Sequence, residues 1–138
     1  MKRLRTDHSW IEQARGRAIK VIHLLLRELP AGGQFNYRVI LMRRPIAEVL
    51  ASQRAMLERQ GKVAADDAKI GKVFQSQLDQ AEEWLSSHPA FSVLPIDHHA
   101  VLKTPGSAAN EVSDFLGGVL DVAAMMRVID PALYRTRR

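Results

Sequence analysis

Cysteine is absent from the 138 residues, which removes disulfides, thiolate metal sites and a cysteine nucleophile and leaves the compartment open. Long apolar runs are missing as well. No stretch approaches the roughly 18 residues that cross a bilayer, and Met1-Lys2-Arg3-Leu4-Arg5 is not followed by a signal-type apolar core. A soluble, cytoplasmic protein is the expectation. Aromatic residues make up only 6% of the chain. Neither the two tryptophans nor the two tyrosines interleave with a basic stripe of the kind that tracks a nucleic-acid strand. Acids are lacking at both ends: residues 1–5 and 135–138 hold six of the 20 basic side chains and none of the 15 acidic ones, so the remainder carries 14 basic against 15 acidic, a net of −1. The formal +5 therefore belongs to two basic tails. Such tails bind polyanions without specificity, and a small basic nucleic-acid-binding protein is a competing reading whose mark would be a steep loss of affinity with salt.

What is present is enough for one domain spanning 1–138, with 46% apolar content and no internal repeat. The segment from Tyr37 to Gln53, YRVILMRRPIAEVLASQ, is the most informative. Val39, Ile40, Leu41 and Met42 form a short unbroken apolar run, as in a parallel strand covered on both faces. Pro45 suits a first helical position, since its ring presets φ and its missing N–H has no partner to lose there. Ile46, Val49, Leu50, Gln53 and Leu57 continue at helical spacing. The unit reads strand, basic turn, helix, with the turn at the carboxyl end of the sheet where open α/β folds bind ligands. Arg44 offers a guanidinium fork to phosphate oxygens beside a helix N-terminus, and Ser52, eight residues on, lies about 100° from the apolar stripe. The two together suit one phosphate. A solvated strand end and an ordinary helical serine are the blander alternatives.

Elsewhere the pattern gives a short helix from Trp10 to about Arg15, with Ser9 and Glu12 as a capping box and Gly16 as its end. Ala18 to Leu26 reads as strand or apolar helix, and a strand through Ile22 followed by a helical turn before Pro30 is the choice. The helix from Pro45 stops near Gln60 with Gly61 at C′. Asp66 or Asp67 caps an amphipathic helix carrying Ile70, Val73, Phe74, Gln77, Ala81, Trp84 and Leu85. Phe91 to Ile96 reads as a strand, Thr104-Pro105 opens a helix that sends Val112, Phe115 and Leu116 to the core and ends at Gly117, and Asp121 starts the last helix, through about Ile129.

The apolar strand, Arg44, Glu48-Val49 and Ser52 resemble the 3′-phosphate-binding signature of the PAPS-dependent sulfotransferases. Ala18-Ile19-Lys20-Val21-Ile22, Leu29-Pro30, Ser52-Gln53, Met56-Leu57, Phe115-Leu116-Gly117 and Asp130-Pro131-Ala132-Leu133-Tyr134-Arg135 resemble that family's bacterial, uncharacterised branch, over about Trp10 to Arg135. The resemblance implies an incomplete P-loop NTPase-like, three-layer α/β domain of about three short parallel strands in which helices predominate. It implies PAPS or adenosine 3′,5′-bisphosphate as the nucleotide, held by Arg44 and Ser52, with Arg135 or Arg137 reaching the 3′-phosphate unless that tail is simply solvated. The family's glycine-rich phosphosulfate loop has no counterpart here, since Gly32-Gly33, Pro105-Gly106-Ser107 and Gly117-Gly118 all lack the strand-to-helix setting. The expectation is therefore a truncated sulfotransferase-like domain that keeps the 3′-phosphate-binding part. As an isolated chain it would be inactive in sulfuryl transfer to its unknown acceptor. A sheet missing its first strand would leave an edge open to a second copy, and a non-catalytic interaction protein is the other alternative.

The family's catalytic base is a histidine two positions after a lysine. Lys20 matches the lysine, Ile22 stands in the histidine's place and His23 follows one residue late, which in a strand turns it to the opposite face. A bulge or a helical turn would bring His23 back as the base; a packed core histidine is the alternative. His98 and His99, beside Asp97, invite a metal reading, but adjacent histidines on an extended segment point apart, and no metal is expected.

Overall fold

The computed structural model describes residues 9–61 and 67–133. Its elements are α1 (Ser9–Gln13), a 3-10 helix (His23–Glu28), β1 (Tyr37–Arg43), α2 (Ile46–Arg59), α3 (Asp67–Ser86), β2 (Phe91–Asp97), α4 (His98–Lys103), α5 (Pro105–Phe115), α6 (Val122–Arg127) and a closing 3-10 turn (Pro131–Leu133). Helix predominates, and β1 and β2 pair in parallel as a two-stranded sheet. Among the described residues each strand has a single neighbour.

The chain divides into two compact units. One comprises 1–37 and 75–92, the other 38–74 and 93–138. The first holds the deepest core: Ile11, Leu26, Leu29, Ala81, Leu85 and Phe91 are all buried, Leu85 most completely at 1% exposure. Its aromatic residues pack in register, Tyr37 stacked on Phe91 at 4.5 Å between ring centroids and Trp84 edge-on to Phe91 at 5.0 Å. Such pairs add about 0.5–1.5 kcal/mol beyond area burial. Tyr37 also donates its hydroxyl proton to the Pro30 carbonyl at 3.0 Å, which ties the loop after the 3-10 helix to the start of β1.

In the second unit the buried positions are fewer and smaller: Ile96 from β2, and Ala108, Ala109 and Ser113 from α5. Helix α5 packs on both α4 and α6, and its small residues permit that closeness. Val112, Phe115 and Leu116, expected to point into the core, are only half-buried. Arg38 lies over the Phe115 ring at 5.8 Å and donates to the Phe115 carbonyl.

Three expectations need correction. There are two strands among the described residues and not about three, because Ala18–Ile22 is irregular backbone. Ile19 is 48% and Ile22 41% exposed, so this apolar run gains neither a paired neighbour nor a cover, and a strand without either has little to hold it. Secondly, β1 is not covered on both faces: its burial alternates, with Ile40 and Met42 exposed. Thirdly, the extended chain stops at Asp97 and does not continue through His98 and His99. The Asp97 side chain accepts from the Ala100 amide at 2.9 Å and starts a helix that the sequence reading lacked, α4, which turns His98 and His99 onto helical positions.

The turn chemistry follows the sequence. Gly16, Gly61 and Gly117 adopt positive φ after their helices, where only glycine is unstrained. Asp121 caps α6 by accepting from the Ala124 amide at 2.8 Å. Pro45 departs by one position: expected as the first helical residue, it is the N-cap of α2, and its carbonyl accepts from the Glu48 and Val49 amides. Asp66, Tyr134 and the basic tails lie outside the described residues.

Candidate functional site

The strand-turn-helix unit forms as the sequence predicts. β1 ends at Arg43, Arg44 and Pro45 make the turn, and α2 begins at Ile46. Arg44 then folds along the helix it precedes, and its Nε donates to Oε2 of Glu48 at 2.9 Å. The two side chains are 22% and 20% exposed, so the pair is partly withdrawn from water and less screened than a surface ion pair. The second oxygen of the same carboxylate is also engaged: Nε2 of His99, on α4, stands 2.8 Å from Glu48 Oε1. One carboxylate therefore links the end of β1, the first turn of α2 and the first turn of α4.

Ser52 is exposed on α2. At four residues beyond Glu48 it shares that residue's face, about 40° around the axis and about 6 Å further along. Arg44, Glu48 and Ser52 thus run in file along one side of the unit. Arg44 is placed on the side that carries Ser52, with an acid between them. An anion held by both would stand near the Glu48 carboxylate. At a separation of 4 Å two like charges repel by about 4 kcal/mol at an effective dielectric of 20 and about 1 kcal/mol in water, so the existing pairing of Glu48 with Arg44 and His99 matters to any anion there.

His98 completes the cluster. Its Nδ1 is shut off from solvent, and its ring lies 6.1 Å from that of His99. Burial, followed by the charges of Arg44 and His99, holds its imidazole below the ordinary value of 6.5, against the opposing pull of Glu48 and Asp97. The neutral, lone-pair-bearing form is favoured. One donor atom from each of Glu48, His98 and His99 falls within 4.8 Å of the others.

His23, the expected base, belongs to the other unit. It opens the 3-10 helix, half-buried, with Nε2 3.4 Å from Oε1 of Gln77. The chain is helical at His23, and Lys20 is exposed on irregular chain. Arg135 lies outside the described residues. Arg43 is exposed.

Glu48 entered the sequence reading only as part of a signature, and His99 only as one of a pair of divergent histidines. Their meeting had one sequence-level clue, the Asp97 cap followed by Ala100-Val101-Leu102-Lys103, which are compatible with a helical turn before Thr104-Pro105. No family model, curated protein or solved structure matches the chain.

Proposed function

We propose that the Arg44 turn and Ser52 bind the 3′-phosphate of an adenosine 3′,5′-bisphosphate-type nucleotide, the chain being the 3′-phosphate-binding part of a sulfotransferase-like, P-loop NTPase-like domain. The observation that carries this reading is the alignment of Arg44 with Ser52 along one face of α2, imposed by the 2.9 Å contact of Arg44 with Glu48. That contact uses one of the five N–H donors of a guanidinium and restricts the side chain's rotamers before a ligand arrives, which lowers the ordering cost of binding. Sulfuryl transfer from PAPS depends on positioning and charge neutralisation around the moving group, and Arg44 would hold the end of the nucleotide remote from that chemistry. The acceptor is a hydroxyl or amine of unassigned identity.

Isothermal titration of adenosine 3′,5′-bisphosphate, with adenosine 5′-monophosphate as the control lacking the 3′-phosphate, tests the reading. Binding of the bisphosphate is expected to weaken at least about tenfold in both Arg44→Ala and Arg44→Lys, since a lysine keeps the charge and loses the fork. Equal binding of the two nucleotides, or none, would remove it.

A second reading is favoured by the same contact. With both oxygens of Glu48 engaged, the cluster is a clip that pins β1, α2 and α4 together, and the chain is a non-catalytic interaction protein. Under this reading Arg44→Ala lowers the unfolding midpoint and no nucleotide binds.

A further inference from the structure

We propose that Glu48, His98 and His99 form a binding site for a single divalent transition-metal ion of the imidazole-preferring kind, such as Zn²⁺. The site goes beyond the nucleotide reading and does not depend on it. Two imidazoles and a carboxylate make the ligand set that zinc takes in sites with three protein ligands, leaving a further position for solvent. The dimensions suit it. Bonds of about 2.1 Å at tetrahedral angles separate ligand atoms by about 3.4 Å. The edge from His99 Nε2 to Glu48 Oε1 is 2.8 Å, and all the donor atoms lie within 4.8 Å of one another. Small side-chain rotations therefore suffice to close the set.

The local fold explains why adjacent histidines converge. In an extended chain their side chains would diverge, whereas in the first turn of α4 they are separated by about 100°, and Glu48 approaches from α2. Asp97 is committed to capping α4 through the Ala100 amide, which fixes the turn without making Asp97 a ligand. Arg44 sits on Oε2 of Glu48 and so orients the carboxylate with Oε1 toward His99, the kind of outer contact that positions metal ligands.

The test is a titration of the full chain with Co²⁺, read by its visible d–d absorption, followed by displacement with Zn²⁺ against a chromophoric chelator, in the absence of nucleotide. One ion per chain is expected. Affinity should fall at least about tenfold in Glu48→Gln, in His98→Ala and in His99→Ala, and stay unchanged in His88→Ala. His99 is 35% exposed, so His99→Ala remains informative even if Glu48→Gln unfolds; circular dichroism monitors that. Absence of saturable absorption, retention of affinity in His99→Ala, or a loss in His88→Ala would overturn the proposal.

Discussion

Arg44 Nε and Glu48 Oε2 meet at 2.9 Å across the junction of β1 and α2, with Arg44 in the turn and Glu48 in the first turn of the helix. The acid also lies near the positive end of the helix dipole, where negative charge is favoured. A double-mutant cycle on Arg44→Ala and Glu48→Ala is expected to give a coupling of about 1 kcal/mol, at the upper end for exposed pairs because the side chains are only 22% and 20% exposed. Raising salt from low to about 1 M should shrink it only partly. A coupling indistinguishable from zero would mean that the contact does not hold the turn.

Leu85 is the most completely buried large side chain, 1% exposed, on α3 in the unit that also contains Ile11, Leu26, Leu29 and Phe91. Leu85→Ala removes apolar contacts and leaves a cavity, a change that destabilises by about 2–5 kcal/mol. Val128, 79% exposed, is the control, and Val128→Ala should stay within about 0.5 kcal/mol of the parent. Urea unfolding with the slope held common reads both.

Much of this was legible because local rules and packing agreed. Gly61 and Gly117 marked helix ends, Asp121 marked a start, and the run from Tyr37 to Arg43 was a strand. The failures share a cause: each required knowledge of what lies beside a segment. Ile19 and Ile22 are as apolar as a strand needs, yet remain exposed without a neighbour. Asp97 is an acid at a strand end by sequence, and only the turn that follows makes it a cap. The candidate site was half-visible for the same reason. Arg44 and Ser52 are linked by spacing along one chain segment, whereas Glu48 and His99 are brought together by two helices far apart in sequence.

Tyr37 gives the pH dependence. Burial raises its phenol above the ordinary 10.0, so the folded state favours the neutral form. The stability that this contributes is fully present below about pH 10 and is lost as pH rises through the raised folded value. In Tyr37→Phe that part of the alkaline loss should vanish, while the hydrogen bond to the Pro30 carbonyl goes at a cost of about 1 kcal/mol at neutral pH. Thermal unfolding of both proteins from about pH 8 to 11 reads the difference, to which other titrating groups contribute equally. Parallel curves would show that Tyr37 ionises as freely folded as unfolded.

Gly71 sets two effects of similar size against each other. It lies inside α3, where alanine is better than glycine by about 1 kcal/mol. A Cβ added there would stand 3.2 Å from Leu50 Cδ1 and 3.6 Å from Ile46 Cγ2 of α2. The first distance is a few tenths of an ångström too short, but the atom that must yield is the terminal methyl of a flexible, half-buried leucine. Propensity should win. Gly71→Ala is expected to stabilise, by less than the full ~1 kcal/mol, whereas Gly71→Leu, which cannot fit against the same two side chains, should destabilise by about 1–3 kcal/mol. Thermal midpoints of the two variants decide it; an alanine variant below the parent would mean that Leu50 is held rigidly where α2 meets α3.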